Sequence, residues 1–215
     1  MKDKNNTKRR IRLYTKAGIF VMIILTIILG ASKITGMQFF DHSKETLKEM
    51  QMPEIDVQLL TVNSYSRPGY SIEKVNGIVI HYTANPGSGA IQNRNYFEGL
   101  KDSHKTKASS HFIIGLDGEI VQCIPTWEEA YASNSRNLDT ISIECCHPDK
   151  SGKFTKETYN SMVNLTAWLC KKFDLKETDV IRHYDITGKN CPKYFVENEK
   201  AWKQFREDVK NVLGG

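Results

Sequence analysis

Two histidines and one cysteine stand where they could bind a metal ion together. His81 ends a short apolar segment before a glycine-rich loop, and His183 begins a second loop that contains Cys191 eight residues later. Loops that follow strands often carry functional side chains. Two imidazoles and a thiolate, with one position left for water, are typical of a catalytic zinc site. A histidine at a strand end can equally be a hydrogen-bonded structural residue, so the spacing alone leaves both roles open.

The segments around these residues predict an α/β domain. Short apolar runs predict strands over residues 77–82, 109–116, 119–124, 140–146 and 179–183. Asp117-Gly118 separates the second and third of these runs and is typical of a β-hairpin turn. Helices are predicted over residues 90–100, 155–173 and 197–213. Strands mixed with helices and one hairpin indicate a mixed central β-sheet flanked by helices.

The segment 140–146 predicts where one acidic side chain points. Alternate residues of a strand face opposite sides of the sheet, which places Ile141, Ile143 and Cys145 on one side. Glu144 then lies on the other side, away from this apolar layer. A carboxylate in that position could exchange a proton with a reacting group, or it could be a solvated residue at a sheet edge.

Four segments together resemble a known enzyme family. They are GIVIHYTANPG (77–87), SSHFIIGLDG (109–118), TISIE (140–144) and RHYDITGKNCP (182–192). In this order they resemble the zinc-dependent N-acetylmuramoyl-L-alanine amidases, in particular those of Bacillus and Clostridium autolysins and of phage endolysins. That group is related to the peptidoglycan-recognition proteins. The resemblance covers roughly residues 64–205, and the last segment is its most specific part.

The resemblance implies a site and a reaction. It implies that His81, His183 and Cys191 hold Zn²⁺ and that Glu144 and Lys189 are the catalytic side chains. The implied substrate is peptidoglycan, cleaved at the amide bond between N-acetylmuramic acid and the L-alanine of the stem peptide. These roles are chemically consistent, since zinc lowers the pKa of a bound water and an ammonium can stabilise a developing oxyanion.

One position departs from related branches of the family. A tyrosine of the phage lysozyme-like amidases and recognition proteins is replaced here by Ser110, so its role is expected to fall to Glu144. Other side chains are candidates for contact with the substrate. These are Tyr82, His111, Tyr131 and Asn134. For His111, a role beside the metal ligands or as a hydrogen-bonded histidine of the sheet is equally open.

Three other interpretations remain open at this point. The domain could bind muropeptide without cleaving it, although such a module would be expected to lack the thiolate or the base. It could be a cysteine hydrolase with Cys191 or Cys123 as nucleophile and His183 as base. A purely structural zinc site would need a fourth ligand, for which His111 or His147 is the candidate.

The net charge of +5 comes from the beginning of the chain. Residues 1–16 hold seven of the 30 basic residues and one of the 25 acidic residues, which leaves a net charge of −1 for the remainder. A basic terminal segment with a nearly neutral remainder argues against a nucleic-acid-binding surface. Five cysteines are too few for a disulfide scaffold, so core packing is expected to stabilise the domain.

The next segment predicts a membrane anchor. Residues 17–32 carry no charge. As a helix this segment would be about 24 Å long, and a helix extended towards residue 37 would be long enough to cross a membrane. We expect a cytoplasmic segment 1–16, a transmembrane helix 17–37, a stalk 38–52 and an extracytoplasmic, monomeric catalytic domain 53–215. The small residues Gly30-Ala31-Ser32 leave open a cleaved signal peptide and a secreted protein.

Overall fold

A mixed six-stranded sheet forms the centre of the fold in a computed structural model that describes residues 51–214. The strands are β1 (Asp56–Val57), β2 (Gly77–Tyr82), β3 (Phe112–Ile114), β4 (Ile120–Gln122), β5 (Thr140–Cys145) and β6 (Val180–Arg182). Their order across the sheet is β1-β4-β3-β5-β2-β6, and β3 and β4 form its antiparallel pair. The predicted mixed sheet with one hairpin is therefore confirmed.

Helices cover both faces of the sheet. They are α1 (Ala90–Ser103), α2 (Lys156–Phe173), α3 (His183–Thr187), α4 (Lys193–Glu197) and α5 (Glu199–Gly214). Two 3₁₀ turns, Asn134–Arg136 and Glu177–Asp179, complete the regular structure. The three long helices agree with the predicted ones to within a few residues. The segment predicted as an irregular loop after β6 instead contains the short helices α3 and α4.

Each face of the sheet packs against helices and forms its own apolar core. One core joins α2 and α5 to the side chains of Ile141, Ile143 and Cys145. The other joins α1 to β3, β4 and Cys146. The predicted alternation along β5 is therefore confirmed, and Glu144 lies on the α1 side. All five cysteines are buried and none of them forms a disulfide, so packing and hydrogen bonds hold this part of the chain together.

The hairpin turn between β3 and β4 is hydrogen-bonded to α2. Thr155 caps this helix, since its side-chain oxygen accepts the Thr158 N–H at 3.0 Å. Ser161, one turn later, donates its hydroxyl to the carbonyl of Gly118 at 2.6 Å. Gly118 has φ +84°, and a Cβ there would lie 2.9 Å from the Glu157 carbonyl. Only glycine fits this turn against the helix without a shift.

Strand register brings the site residues to one edge of the sheet. β2 runs parallel to β5 and to β6, and His81 of β2 lies directly opposite Glu144 of β5. β6 ends at Arg182, so His183 follows at the same edge. The carboxyl ends of parallel strands are where ligands bind in open α/β sheets.

The predicted segments 1–16 and 17–37 and most of the predicted stalk lie outside the described residues. Within residues 51–214, no helix has the length and apolar character needed to cross a membrane.

Candidate active site

Three buried side chains meet at the carboxyl edge of the sheet. A ring nitrogen of His81, a ring nitrogen of His183 and the Sγ of Cys191 lie within 4.8 Å of one another. Their residues are 2%, 7% and 3% exposed, respectively. The structure therefore brings together the three residues that the sequence singled out, in an arrangement that could hold a metal ion.

The loop after α3 folds back and brings Cys191 close to His81 and His183. The Tyr184 N–H donates to the Cys191 carbonyl at 2.9 Å, and the Cys191 N–H donates to the Lys189 carbonyl at 2.6 Å. The Cys191–Pro192 peptide bond is cis. The Sγ of Cys191 lies 3.8 Å from Nδ1 of His81, so this loop holds the thiol beside the buried histidine of β2.

The electrostatics of these three groups suit a divalent cation. Burial, followed by the charges of His183 and Lys189, holds the pKa of His81 well below its usual range, so its imidazole is neutral and keeps a lone pair. Burial and the nearby Glu144 raise the pKa of Cys191 to about 12. A bound cation would reverse this effect and favour the thiolate. Neutral imidazoles beside a thiol that ionises on metal binding fit a zinc ion.

Glu144 lies beside this cluster with part of its carboxyl group unpaired. Its Oε2 atom is buried and has no hydrogen-bond partner among the described residues. Burial raises its pKa to about 8, and the positive charge of Lys189 acts in the opposite direction. A carboxyl group with that pKa can hold or release a proton near neutral pH, which a general acid and base requires.

A cleft of about 440 Å³ opens above the cluster. The side chains and backbone that line it come from β2, β5, α1, α3, the segment 106–109, the 131–137 turn and the loop after α3. They are His81, Tyr82, Phe97, Thr106, Lys107, Ala108, Ser109, Tyr131, Ala132, Asn134, Asn137, Glu144, His183, Lys189 and Cys191. Tyr82, Tyr131 and Asn134, three of the predicted substrate contacts, thus lie on the cleft wall, as does Lys189.

His111, the fourth predicted substrate contact, does not line the cleft. It is 1% exposed, and both of its ring nitrogens are bonded within the protein. Nδ1 accepts the Ser142 N–H at 3.0 Å, and Nε2 donates to the Glu128 carbonyl at 2.8 Å. This environment fits a hydrogen-bonded histidine of the sheet and leaves no ring atom for a substrate.

The structure also bears on the alternative metal and cysteine sites. Neither His111 nor His147 joins the group of potential metal ligands found among the described residues. The Nδ1 of His147 instead donates to the Asp149 carbonyl at 2.7 Å. Cys123 is fully buried in the α1 core, and burial raises its pKa to about 12. A fourth protein ligand and a nucleophilic Cys123 therefore find no support.

Ser133 is a site residue that the sequence analysis missed. Its buried hydroxyl oxygen lies 3.3 Å from Nε2 of His81. Its neighbour Asn134 places Oδ1 2.9 Å from Nε2 of His183. Ser133 precedes a short 3₁₀ turn, and no periodic or motif signal in the sequence marks such a position.

Comparison with known proteins gives one consistent family. Residues 71–194 match the family model described as N-acetylmuramoyl-L-alanine amidase. The chain is 36% identical over 176 residues to N-acetylmuramoyl-L-alanine amidase CwlL of Bacillus licheniformis, covering 76% of this chain and 48% of that protein. It is 34% identical over 177 residues to N-acetylmuramoyl-L-alanine amidase BlyA of Bacillus subtilis (strain 168), covering 73% and 47%. The chain thus spans about half the length of these relatives.

Solved structures resemble the described fold. The structure of PlyL superposes with a TM-score of 0.65 at 25% identity, covering 75% of this chain and 99% of that one. A mutant endolysin from Bacillus subtilis gives a TM-score of 0.63 at 27% identity, covering 74% and 99%. The shared part is the domain that contains the sheet and the cleft.

Proposed function

Because this chain belongs to the N-acetylmuramoyl-L-alanine amidase family, we propose that its domain 53–215 hydrolyses peptidoglycan. The bond cleaved is the amide between N-acetylmuramic acid and the L-alanine of the stem peptide. The observation that carries this proposal is the meeting of His81, His183 and Cys191 beside the unpaired carboxyl oxygen of Glu144. These groups lie in an open cleft, where a polymeric substrate can reach them.

We assign His81, His183 and Cys191 as the protein ligands of a zinc ion. Three protein ligands leave a position for water, in contrast to the four-ligand sites that are purely structural. When bound, zinc supplies a water whose pKa is lowered towards neutrality and polarises the carbonyl oxygen of the amide.

Glu144 is the proton carrier of the proposed reaction. Its carboxylate takes a proton from the attacking water and later gives it to the nitrogen of the leaving L-alanine, so that the carboxylate is regenerated. Burial raises the pKa of this carboxyl group to about 8, which favours the protonated form that Glu144 must hold between the two halves of the exchange, and the charge of Lys189 favours the carboxylate. The position of Glu144 opposite His81 in the β5–β2 register puts the carrier next to the proposed ligands.

Lys189 and the cleft wall orient the substrate. The ammonium of Lys189 can donate to the amide oxygen as negative charge develops on it. Its positive charge already acts on Glu144 and Cys191, because it opposes the rise that burial produces in the pKa of each. We assign Tyr82 and Tyr131 as contacts for the glycan or the stem peptide, because aromatic side chains offer flat apolar surfaces with a polar end.

The test is digestion of purified sacculi by the fragment 50–215, which forms a compact unit containing both cores. New amino groups on alanine and new reducing sugar ends are measured in parallel, with and without a zinc chelator. We expect alanine amino groups to appear without reducing ends, to stop appearing after chelation, and to return when zinc is added.

Other outcomes identify the alternatives. New reducing ends would indicate a glycosidase. Activity that resists the chelator but is lost on thiol alkylation would indicate a cysteine hydrolase. Tight binding of sacculi without any release of amino groups, at full zinc content, would indicate a recognition module.

A further inference from the structure

A single turn contacts both histidines of the site. Ser133 and Asn134 are consecutive residues, and each faces one imidazole. The Ser133 Oγ lies 3.3 Å from Nε2 of His81, and the Asn134 Oδ1 lies 2.9 Å from Nε2 of His183. In both rings the nitrogen engaged by the turn is Nε2, which leaves Nδ1 for another partner.

The turn is held in place by its own hydrogen bonds. The side-chain oxygen of Asn137 accepts the Ala132 N–H at 3.2 Å and the Ser133 N–H at 2.6 Å. The Thr140 hydroxyl, at the first residue of β5, donates to the Arg136 carbonyl at 2.6 Å. These bonds hold the backbone that carries Ser133 and Asn134 against the strand that carries Glu144.

The amide oxygen of Asn134 selects a tautomer of His183, and the hydroxyl of Ser133 is compatible with the same tautomer of His81. An amide oxygen only accepts hydrogen bonds, so its partner, Nε2 of His183, must carry the proton. The Ser133 hydroxyl can accept in the same way from Nε2 of His81. Each neutral ring then has its lone pair on Nδ1, and Nδ1 of His81 is 3.8 Å from the sulfur of Cys191. A hydrogen bond on one ring nitrogen commonly fixes which nitrogen binds a metal.

We propose that Ser133 and Asn134 are positioning residues that hold both histidines as Nε2–H tautomers and thereby present Nδ1 of each ring to the metal. The inference rests on the proposed assignment of His81 and His183 as zinc ligands. It gives Asn134 a second role, in addition to its place on the cleft wall.

The tautomers can be read without metal or substrate. In the zinc-free fragment 50–215 with ¹⁵N-labelled histidine, at a pH above the usual imidazole range, long-range ¹H–¹⁵N spectra distinguish Nδ1–H from Nε2–H. We expect both His81 and His183 in the Nε2–H form. Asn134→Gly should let His183 become a mixture of tautomers and leave His81 unchanged. Ser133→Ala should do the reverse.

The choice of variants also distinguishes loss of the contacts to the histidines from a general folding defect. Asn134 has φ +52°, so glycine removes the side chain without straining the backbone. Asn134→Asp keeps an acceptor oxygen and should keep the wild-type tautomer. Ser135→Ala is the matched control, because the described structure shows no side-chain hydrogen bond from this exposed neighbour.

Zinc affinity is the second readout. By competition against a chromogenic chelator, Asn134→Gly and Ser133→Ala should each bind zinc about 10- to 100-fold more weakly, the usual effect of losing such a partner. Asn134→Asp and Ser135→Ala should stay close to wild type. An Nδ1–H tautomer at either histidine of the wild type would overturn the proposal, as would unchanged tautomers and zinc affinity in both Asn134→Gly and Ser133→Ala.

Failure here is distinguishable from failure of the proposed function. Correct tautomers and zinc binding without cleavage of sacculi would refute the amidase proposal and leave the positioning role intact. Zinc-dependent cleavage by a wild type with the wrong tautomer would do the opposite.

Discussion

Glu144 combines a buried, unpaired oxygen with a position opposite His81, and this combination defines its test. Glu144→Gln keeps the size of the side chain but cannot carry a proton. We expect the variant to retain zinc and muropeptide affinity while its turnover number falls by about 10² to 10⁴, the usual contribution of a positioned general base. Zinc content, muropeptide binding and release of alanine amino groups are the measurements.

Lys189→Ala serves as the comparison for this variant. It should also keep zinc, but lose less activity than Glu144→Gln if the metal carries most of the oxyanion charge. Loss of zinc in Glu144→Gln would make the carboxylate a ligand and would contradict its assignment as the base.

We expect His111 to make the stability of the domain depend on pH. Burial lowers its pKa to about 4 in the folded state, from 6.5 for an exposed histidine. Between these values the unfolded chain binds more protons, so stability rises with pH in this window. The contribution is fully present above about pH 6.5 and is lost as the pH falls to about 4, a change on the order of 3 kcal/mol.

Urea unfolding of the zinc-free fragment at several pH values measures this effect. His111→Gln removes the titrating group, and its stability should depend less on pH between about 4 and 6.5 than that of the wild type. The comparison between the two proteins cancels the contributions of His81 and His183. Equal slopes would show that His111 is not the source.

At the scale of the elements, Arg182 joins four of them around His183. This last residue of β6 is 8% exposed. Its guanidinium donates to Asp185 of α3 and to Glu199 of α5 at 2.8 Å each, and to the Phe195 carbonyl of α4 at 3.1 Å. It also lies 5.3 Å from the ring centre of Trp202. One side chain thus contacts both short helices, α3 and α4, and the long helix α5.

Arg182→Lys should therefore destabilise the domain although the charge is kept. A lysine cannot reproduce the planar, forked set of hydrogen bonds, and we expect a loss of about 1–3 kcal/mol in the free energy of unfolding. Zinc affinity should fall as well, because α3 begins with His183. Lys210→Ala, which removes an exposed ion pair with Glu207, is the control and should change stability by less than about 1 kcal/mol. Equal effects of the two substitutions would refute the anchoring role.

The elements also show what sequence patterns can and cannot predict. Strand alternation placed Glu144 on the face away from Ile141, and Asp117-Gly118 marked the hairpin, because both signals are local. The helices α3 and α4 are five residues each and surround Gly188 and Pro192. Two of the hydrogen bonds that Arg182 makes around them, to the Phe195 carbonyl and to Glu199, join residues 13 and 17 positions apart, and no local pattern reveals such contacts.

Part of the site could also be predicted from the sequence. Its histidines and cysteine could be found from residue type, position and family resemblance, but the pairing of His81 with Glu144 depends on strand register. The contact of Ser133 with His81 joins residues 52 positions apart. His111 resembled a site residue in the sequence, and only its hydrogen bonds to Ser142 of β5 and to the Glu128 carbonyl show its structural surroundings.

At the scale of the whole molecule, the two cores meet at one sheet whose carboxyl edge carries the site. Helix α1 packs on the face that carries Glu144, and α2 and α5 support the opposite face. The cleft therefore opens at an edge of the domain and is not enclosed between the layers. A site at such an edge can accept one bond of a large polymer while the rest of the polymer stays outside.

The proposed location of this domain rests on the sequence of the first 37 residues. We propose that residues 1–16 stay in the cytoplasm, that 17–37 span the membrane and that 38–52 form a stalk, because seven basic residues precede an uncharged apolar run. The full-length chain should then sediment with membranes and be released by detergent but not by high salt. Protease added outside the cell should cleave the domain, whereas the fragment 50–215 made in the cytoplasm should stay soluble and protected. Recovery from the medium of a chain that begins near Lys33 would instead establish a cleaved signal peptide, since Gly30-Ala31-Ser32 offers the small residues that such cleavage requires.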